Sequence, residues 1–139
     1  MKLIIDSNAI MSALIKDSKS REIVLESGFE FYHPEISLRN IIKHEDEIIK
    51  KADVSKKQFK EIYNVLLEKI LLIKTENFLA NLEEAKLIMG HIDIEDVPFI
   101  ALALSIPNDG IWTDDEHFQK QNRIKIYTTS DIIKEFLSV

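Results

Sequence analysis

The sequence predicts an α/β fold: a three-layer α/β/α sandwich around a mainly parallel sheet of about five strands. Two observations lead to this prediction. Short apolar runs rich in Ile and Leu recur along the chain, and segments with helical spacing of apolar residues separate them. The length of 139 residues suits one domain, which we expect to span residues 1 to 139.

The predicted strands are short and continuously apolar, as expected for strands that are buried on both faces of a parallel sheet. They cover residues 2 to 5, 29 to 32, 70 to 74, 110 to 113 and 124 to 128. The sheet is therefore expected to carry helices on both sides.

The segments between the strands carry apolar residues at spacings of three and four, which is typical of amphipathic helices. Predicted helices cover residues 8 to 15, 20 to 27, 34 to 51, 55 to 69, 77 to 89, 95 to 106, 115 to 121 and 130 to 137. Gly28 follows the second helix as a C-terminal cap would, and Pro34 is expected in the first turn of the third. Pro98 has no N–H to donate, so a helix must begin close to residues 95 to 97.

The composition excludes several classes of protein. The chain has no cysteine, which rules out disulfides, thiolate zinc sites and cysteine nucleophiles. Its three glycines are too dispersed for a P-loop or a dinucleotide-binding turn. The net charge of −6 argues against wrapping duplex nucleic acid, although a small polynucleotide site remains compatible with it. Without a membrane-spanning run or a secretory leader, we expect a cytoplasmic protein with no membrane association.

Acidic residues follow two of the predicted strands. Asp6 comes directly after the first strand, and Asp114 and Asp115 come after the fourth. The carboxyl ends of parallel strands meet at one edge of a sheet, so these side chains should lie close together. Asp96 adds a third acid, because the helix start at Pro98 places it at a helix cap beside the same edge. Each acid taken alone also fits a helix N-cap, and that alternative stays open.

Carboxylates that crowd together repel one another and raise each other's pKa unless a cation neutralises them. Hard oxygen ligands favour Mg²⁺ or Mn²⁺, which act on phosphates by activating water and stabilising developing charge. The three converging acids therefore predict metal-dependent hydrolysis of phosphodiester bonds.

Three stretches carry a family resemblance: LIIDSNAIMSAL, DIEDVPFIALAL and IWTDDEHF resemble the signature stretches of PIN domains, in that order and across nearly the whole chain. The resemblance implies a Mg²⁺- or Mn²⁺-dependent ribonuclease acting on single-stranded RNA, as in the VapC-like toxins, whose partners are antitoxin proteins. It also implies which residues are the catalytic and metal-binding acids, namely Asp6, Asp96, Asp115 and, as a supplement, Asp114.

The resemblance further implies supporting roles for Asn8 and Thr113, and it contains one departure. The family usually has a glutamate on the helix after the second strand, where this chain has Asn40. An asparagine can bind a cation through its carbonyl oxygen but brings no charge. Glu47 could replace the missing acid and His44 could contact phosphate, since both follow Asn40 on one helical face; a solvated polar face is the alternative.

Lys16 and Arg21 lie close to the predicted site edge and are candidate substrate-binding residues, together with His44, although isolated surface cations are common. A second hypothesis is a catalytically weak PIN-like module that binds RNA or a protein, which Asn40 favours. A homodimer is expected if the long helices at 34 to 51 and 55 to 69 expose an apolar seam.

Overall fold

A five-stranded parallel sheet forms the centre of the computed structural model, which describes residues 1 to 15 and 18 to 138. The strands, in the order β3-β2-β1-β4-β5, are β1 (Lys2–Ile5), β2 (Glu30–Pro34), β3 (Ile70–Ile73), β4 (Gly110–Trp112) and β5 (Ile126–Tyr127). The chain moves outward from β1 to β3 and then crosses back to β4. The strand order therefore reverses between β1 and β4, where parallel sheets bind their ligands.

Helices cover both faces of the sheet, which confirms the predicted three-layer α/β/α sandwich. Their bounds are α1 (Ser7–Leu14), α2 (Lys19–Glu26), α3 (Leu38–Lys43), α4 (Glu45–Ala52), α5 (Lys56–Leu67), α6 (Leu82–Ala85), α7 (Val97–Ser105) and α8 (Thr129–Leu137). Across the described ranges, no helix has both the length and the apolar character needed to cross a membrane.

Two apolar clusters pack against the two faces of the sheet. Leu3 and Ile5 of β1 belong to the cluster beneath α1, α2, α5 and α8, whereas Ile4 belongs to the cluster beneath α7. This alternation is the two-residue period of a strand that is buried on both sides. Each fully buried aliphatic side chain contributes about 1.5–3 kcal/mol to the free energy of unfolding, so the central strands stabilise the whole sandwich.

The predicted long helix at 34 to 51 is wrong in two respects. Pro34 is the last residue of β2, where it pairs with Ile73, and a 3₁₀ turn follows at Glu35–Ser37. The helix is then interrupted at His44, whose N–H bonds to the Ile41 carbonyl three residues back and closes α3. The segment therefore forms two helices, α3 and α4, which separate Asn40 from Glu47.

Two further predicted helices are largely tighter or wider turns. Residues 77 to 89 form a 3₁₀ turn at Leu79–Asn81, the short α6 and a π-helical turn at Lys86–Gly90. The segment after β4 is a 3₁₀ turn, Glu116–Lys120, that begins where the Asp115 side chain accepts a hydrogen bond from the His117 N–H at 2.9 Å. By contrast, the helix start at Pro98 is confirmed, since Pro98 lies in the first turn of α7.

The buried His33 of β2 contacts both β1 and α7. Its contact in β1 is Ile5, the residue before Asp6. The His33 Nδ1 lies 2.7 Å from the carbonyl oxygen of Ile5, and its ring packs edge-on against Phe99 with 5.4 Å between ring centres. Burial lowers the pKa of His33 to about 4, so the ring is neutral at pH 7. The interaction positions the carboxyl end of β1 by hydrogen bonding and packing, without charge.

Gly110 begins β4 with a φ of +148°, and a Cβ there would lie 2.6 Å from the backbone oxygen of Lys125. We expect Gly110→Ala to lower the free energy of unfolding by at least about 2 kcal/mol, because β4 and β5 would have to separate. Gly90→Ala is the control, since a Cβ there meets no atom closer than 3.7 Å. Urea denaturation measures both, and similar losses in the two variants would contradict the expectation.

Candidate metal centre

The parallel pairing of β1 with β4 brings distant parts of the chain together at the sheet edge. Ile5 lies beside Trp112 in this pairing, so the next residues, Asp6 and Thr113, are neighbours. The fully buried Thr113 hydroxyl donates to Asp6 Oδ2 at 2.7 Å and accepts from the Asp115 N–H at 3.0 Å. One hydroxyl thus positions two of the predicted acids, as a supporting residue of a metal site would.

Asp96 reaches the same edge of the sheet from the helical layer that contains α7. It lies at the end of the 3₁₀ turn Ile94–Asp96 and directly before α7, whose residues are buried on nearly all sides against the sheet. The side chain is 7% exposed, and its Oδ2 has no hydrogen-bond partner among the described residues. A buried carboxylate oxygen without a partner lowers the stability of the folded protein, and a bound cation would offset this loss.

The acids line one cavity of about 320 Å³ at the carboxyl ends of β1 and β4. Its carboxylates come from Asp6, Asp93, Glu95, Asp96 and Asp115. Lys43 is the one lysine or arginine of the described chain that lines it. The cavity is therefore strongly negative, which favours a cation over an anionic group at its centre.

The protonation of two acids reflects this crowding. Burial, followed by the charges of Asp93, Asp6 and Asp115, raises the pKa of Asp96 to about 8. Burial likewise raises the pKa of Asp6 to about 6, even though the hydrogen bond from Thr113 acts in the opposite direction. Without a cation, Asp96 is mainly protonated at pH 7. A divalent cation that displaced this proton would neutralise the carboxylates of the cavity.

Sequence reasoning missed two candidate metal ligands of this site. Asp93 Oδ2 lies 3.1 Å from His117 Nδ1, which is also 3.7 Å from Asp115 Oδ1. Asp93, Asp96, Asp115 and His117 each offer a ligand atom, and these atoms all lie within 4.8 Å of one another. The available signal was local spacing, since Asp93 precedes Asp96 by three residues and His117 follows Asp115 by two.

The remaining predicted residues near the helix after β2 divide between the cavity and its surroundings. Asn8, Asn40 and His44 line the cavity. Glu47 does not, because its carboxylate lies 2.9 Å from the Lys51 ammonium and 3.4 Å from His44 Nδ1. The structure therefore places no acid from α4 where the family glutamate would be.

Two predicted residues, Asp114 and Arg21, lie outside the cavity. The Asp114 carboxylate accepts hydrogen bonds from the N–H and the hydroxyl of Thr129, at 2.7 and 2.5 Å, and is outside the acidic cavity. The Arg21 guanidinium donates to the carbonyls of Ala13 and Leu14 at the end of α1, at 2.8 and 3.1 Å. Asp114 thus positions the start of α8 and Arg21 the end of α1. Lys16 lies outside the described residues.

The fold and the acidic cavity together define a nuclease-type α/β sandwich with a candidate site for a divalent metal. The family model of the PIN domain matches residues 4–135, and the chain belongs to this family. No curated protein sequence matches the chain. PIN domains are generally nucleases that use divalent metals, in agreement with the acids assembled here.

The raised pKa of Asp96 predicts how stability depends on pH without metal. Between about pH 4 and 8 the folded protein holds a proton that the unfolded chain has lost, so its free energy of unfolding falls as pH rises, by up to about 1.4 kcal/mol per unit. Asp96→Asn removes this contribution. We expect the stability of the variant, relative to wild type, to increase across this range.

Urea denaturation in EDTA at pH 5, 6, 7 and 8 measures the difference. Comparison with wild type at each pH removes the opposite contribution of His33, which raises the free energy of unfolding as pH rises from about 4 to 6.5. Asp46→Asn on the exposed side of α4 controls for loss of a carboxyl group. A difference between Asp96→Asn and wild type that does not change with pH would contradict the expectation.

Proposed function

We propose that this PIN domain is a Mg²⁺- or Mn²⁺-dependent endoribonuclease that hydrolyses single-stranded RNA. One observation carries the proposal: the buried Asp96 Oδ2 lacks a hydrogen-bond partner among the described residues, in a cavity that Asp6 and Asp115 also line. Asp6 and Asp96, whose pKa values are raised, share the cavity with Asp115, and this arrangement fits a divalent cation. Membership of the PIN family supports nuclease chemistry.

In this proposal Asp6, Asp96 and Asp115 hold the cation through carboxylate oxygens. A bound Mg²⁺ or Mn²⁺ supplies polarisation of the phosphodiester and activation of a water molecule. Thr113 keeps Asp6 and Asp115 in place through the two hydrogen bonds of its hydroxyl. Asn8 and Asn40 contribute neutral polar groups to the cavity wall.

Substrate binding would involve the opening of the cavity at the end of α3. Lys43 and His44 line it there, and an ammonium group beside a set of acids can bind the phosphate that the acids alone would repel. The net charge of −6 leaves little basic surface for a duplex, which favours a short single-stranded segment.

A binding module with weak catalysis is the second candidate, because the neutral Asn40 lines the cavity where the family usually has a glutamate. Such a module would bind RNA or a protein without needing the cation. A toxin role with an antitoxin partner, a homodimer and a cytoplasmic location stay predictions of the sequence.

Loss of one acid should abolish cleavage. We expect Asp6→Asn, which keeps an acceptor for the Thr113 hydroxyl, to lower kcat/KM for a fluorescent single-stranded RNA in Mn²⁺ by about a hundredfold or more. Asp46→Asn, on the exposed side of α4, should cleave like wild type. Wild-type protein as inactive as Asp6→Asn would contradict the nuclease proposal, and metal-independent RNA binding by that inactive protein would support the binding module.

Restoring the family glutamate should raise activity. We expect Asn40→Glu to increase the apparent affinity for Mg²⁺ about tenfold, because it adds a carboxylate to the cavity wall. The measurement is the Mg²⁺ concentration that gives half-maximal RNA cleavage. Asn64→Glu introduces the same charge on the exposed surface of α5 and is the control. Equal Mg²⁺ requirements in wild type and Asn40→Glu would show that the missing charge does not limit the enzyme.

A further inference from the structure

We propose that His117 supplies a nitrogen ligand, and Asp93 an additional carboxylate ligand, to the metal centre, and that this ligand set makes the protein prefer Mn²⁺ to Mg²⁺. This inference rests on the proposed function in one respect, because that function places a divalent cation beside Asp96 and Asp115. Neither Asp93 nor His117 is among the acids that the family resemblance implies.

The distances fit a single cation. Ligand atoms of Asp93, Asp96, Asp115 and His117 all lie within 4.8 Å of one another. With metal–ligand bonds of about 2.2 Å, ligands on opposite sides of an ion are about 4.4 Å apart, so small side-chain movements would complete the site. The His117 ring already lies between two carboxylates, with Nδ1 3.1 Å from Asp93 and 3.7 Å from Asp115.

A second observation points to a ligand at the same place. Asp96 belongs to this group of four residues, is 7% exposed, and has an Oδ2 without a hydrogen-bond partner in the described chain. The Asp93 carboxylate accepts a hydrogen bond from the Glu95 N–H, and the Asp115 carboxylate accepts one from the His117 N–H. Asp96 Oδ2 has no such donor in the described chain. A cation among the four side chains would satisfy it.

Packing holds His117 near Asp96. The 3₁₀ turn that carries His117 places Phe118 in the core, fully buried and perpendicular to Phe99 of α7, with 6.2 Å between the ring centres. Phe99 lies three residues after Asp96. The aromatic pair therefore keeps the turn after β4 against the start of α7, and the His117 side chain does not depend on a flexible loop for its position.

The ligand types determine the preference for the metal. Mg²⁺ binds oxygen ligands and retains several waters, whereas Mn²⁺ shares the preference for carboxylates and, as a transition metal, also accepts an imidazole nitrogen. Asp93 also restores a negative charge that Asn40 does not provide. Together with the three acids of the nuclease proposal, Asp93 and His117 make a set of four carboxylates and one imidazole, which should bind Mn²⁺ more tightly than Mg²⁺.

Electron paramagnetic resonance of bound Mn²⁺ tests the inference without measuring RNA cleavage. Pulsed spectra of the wild-type protein should show modulation from a coordinated ¹⁴N, and His117→Gln should lose it. His91→Gln replaces another histidine, on the protein surface, and should retain it. Titration should show about a tenfold loss of Mn²⁺ affinity in His117→Gln and a smaller loss of Mg²⁺ affinity measured by competition.

The outcomes separate this inference from the nuclease proposal. Wild-type protein without ¹⁴N modulation, or with modulation unchanged in His117→Gln, would overturn nitrogen ligation even if the protein cleaves RNA. Modulation that His117→Gln removes would support it even if the protein cleaves no RNA. Wild-type protein that binds no Mn²⁺ at millimolar concentration would overturn it as well, whereas cleavage in Mg²⁺ tests the nuclease proposal independently.

Discussion

Burial of several carboxylates at one edge of the sheet, together with the repulsion between them, is the constraint that the rest of the site must meet. Asp6 and Asp96 lie 90 residues apart in the sequence, and both are almost completely buried. Their raised pKa values show that the folded protein carries them at a cost in free energy. The sheet, the Thr113 hydroxyl and the buried α7 maintain this arrangement against the repulsion, and a divalent cation is the ligand that would relieve it.

Most of the architecture was predictable because continuous apolar strands are a strong local signal. The acids Asp6, Asp96 and Asp115 were predictable for a related reason: strand ends and the helix start at Pro98 define where they must lie. The interruption at His44 was not, since a single hydrogen bond to Ile41 closes α3 within an otherwise regular apolar pattern.

Long-range contacts limited the rest of the site prediction. His117 reaches Asp93 across 24 residues through the packing of Phe118 on Phe99, which no spacing in the sequence reveals. Arg21 illustrates the converse, because its charge suggests phosphate binding until its hydrogen bonds to the end of α1 are known. Residue type located the acids, whereas tertiary contacts determined which neighbours join them.

Asp114 connects the segment that carries Asp115 to α8 through hydrogen bonds. Its two hydrogen bonds reach the first residue of α8, and the Thr129 hydroxyl also accepts one from the Trp112 indole at 3.0 Å. Asp114 is joined to Asp115 by a peptide bond, so a displacement of α8 would be transmitted to a proposed metal ligand. A molecule that bound α8 and displaced it would therefore change the metal centre allosterically without occupying the cavity.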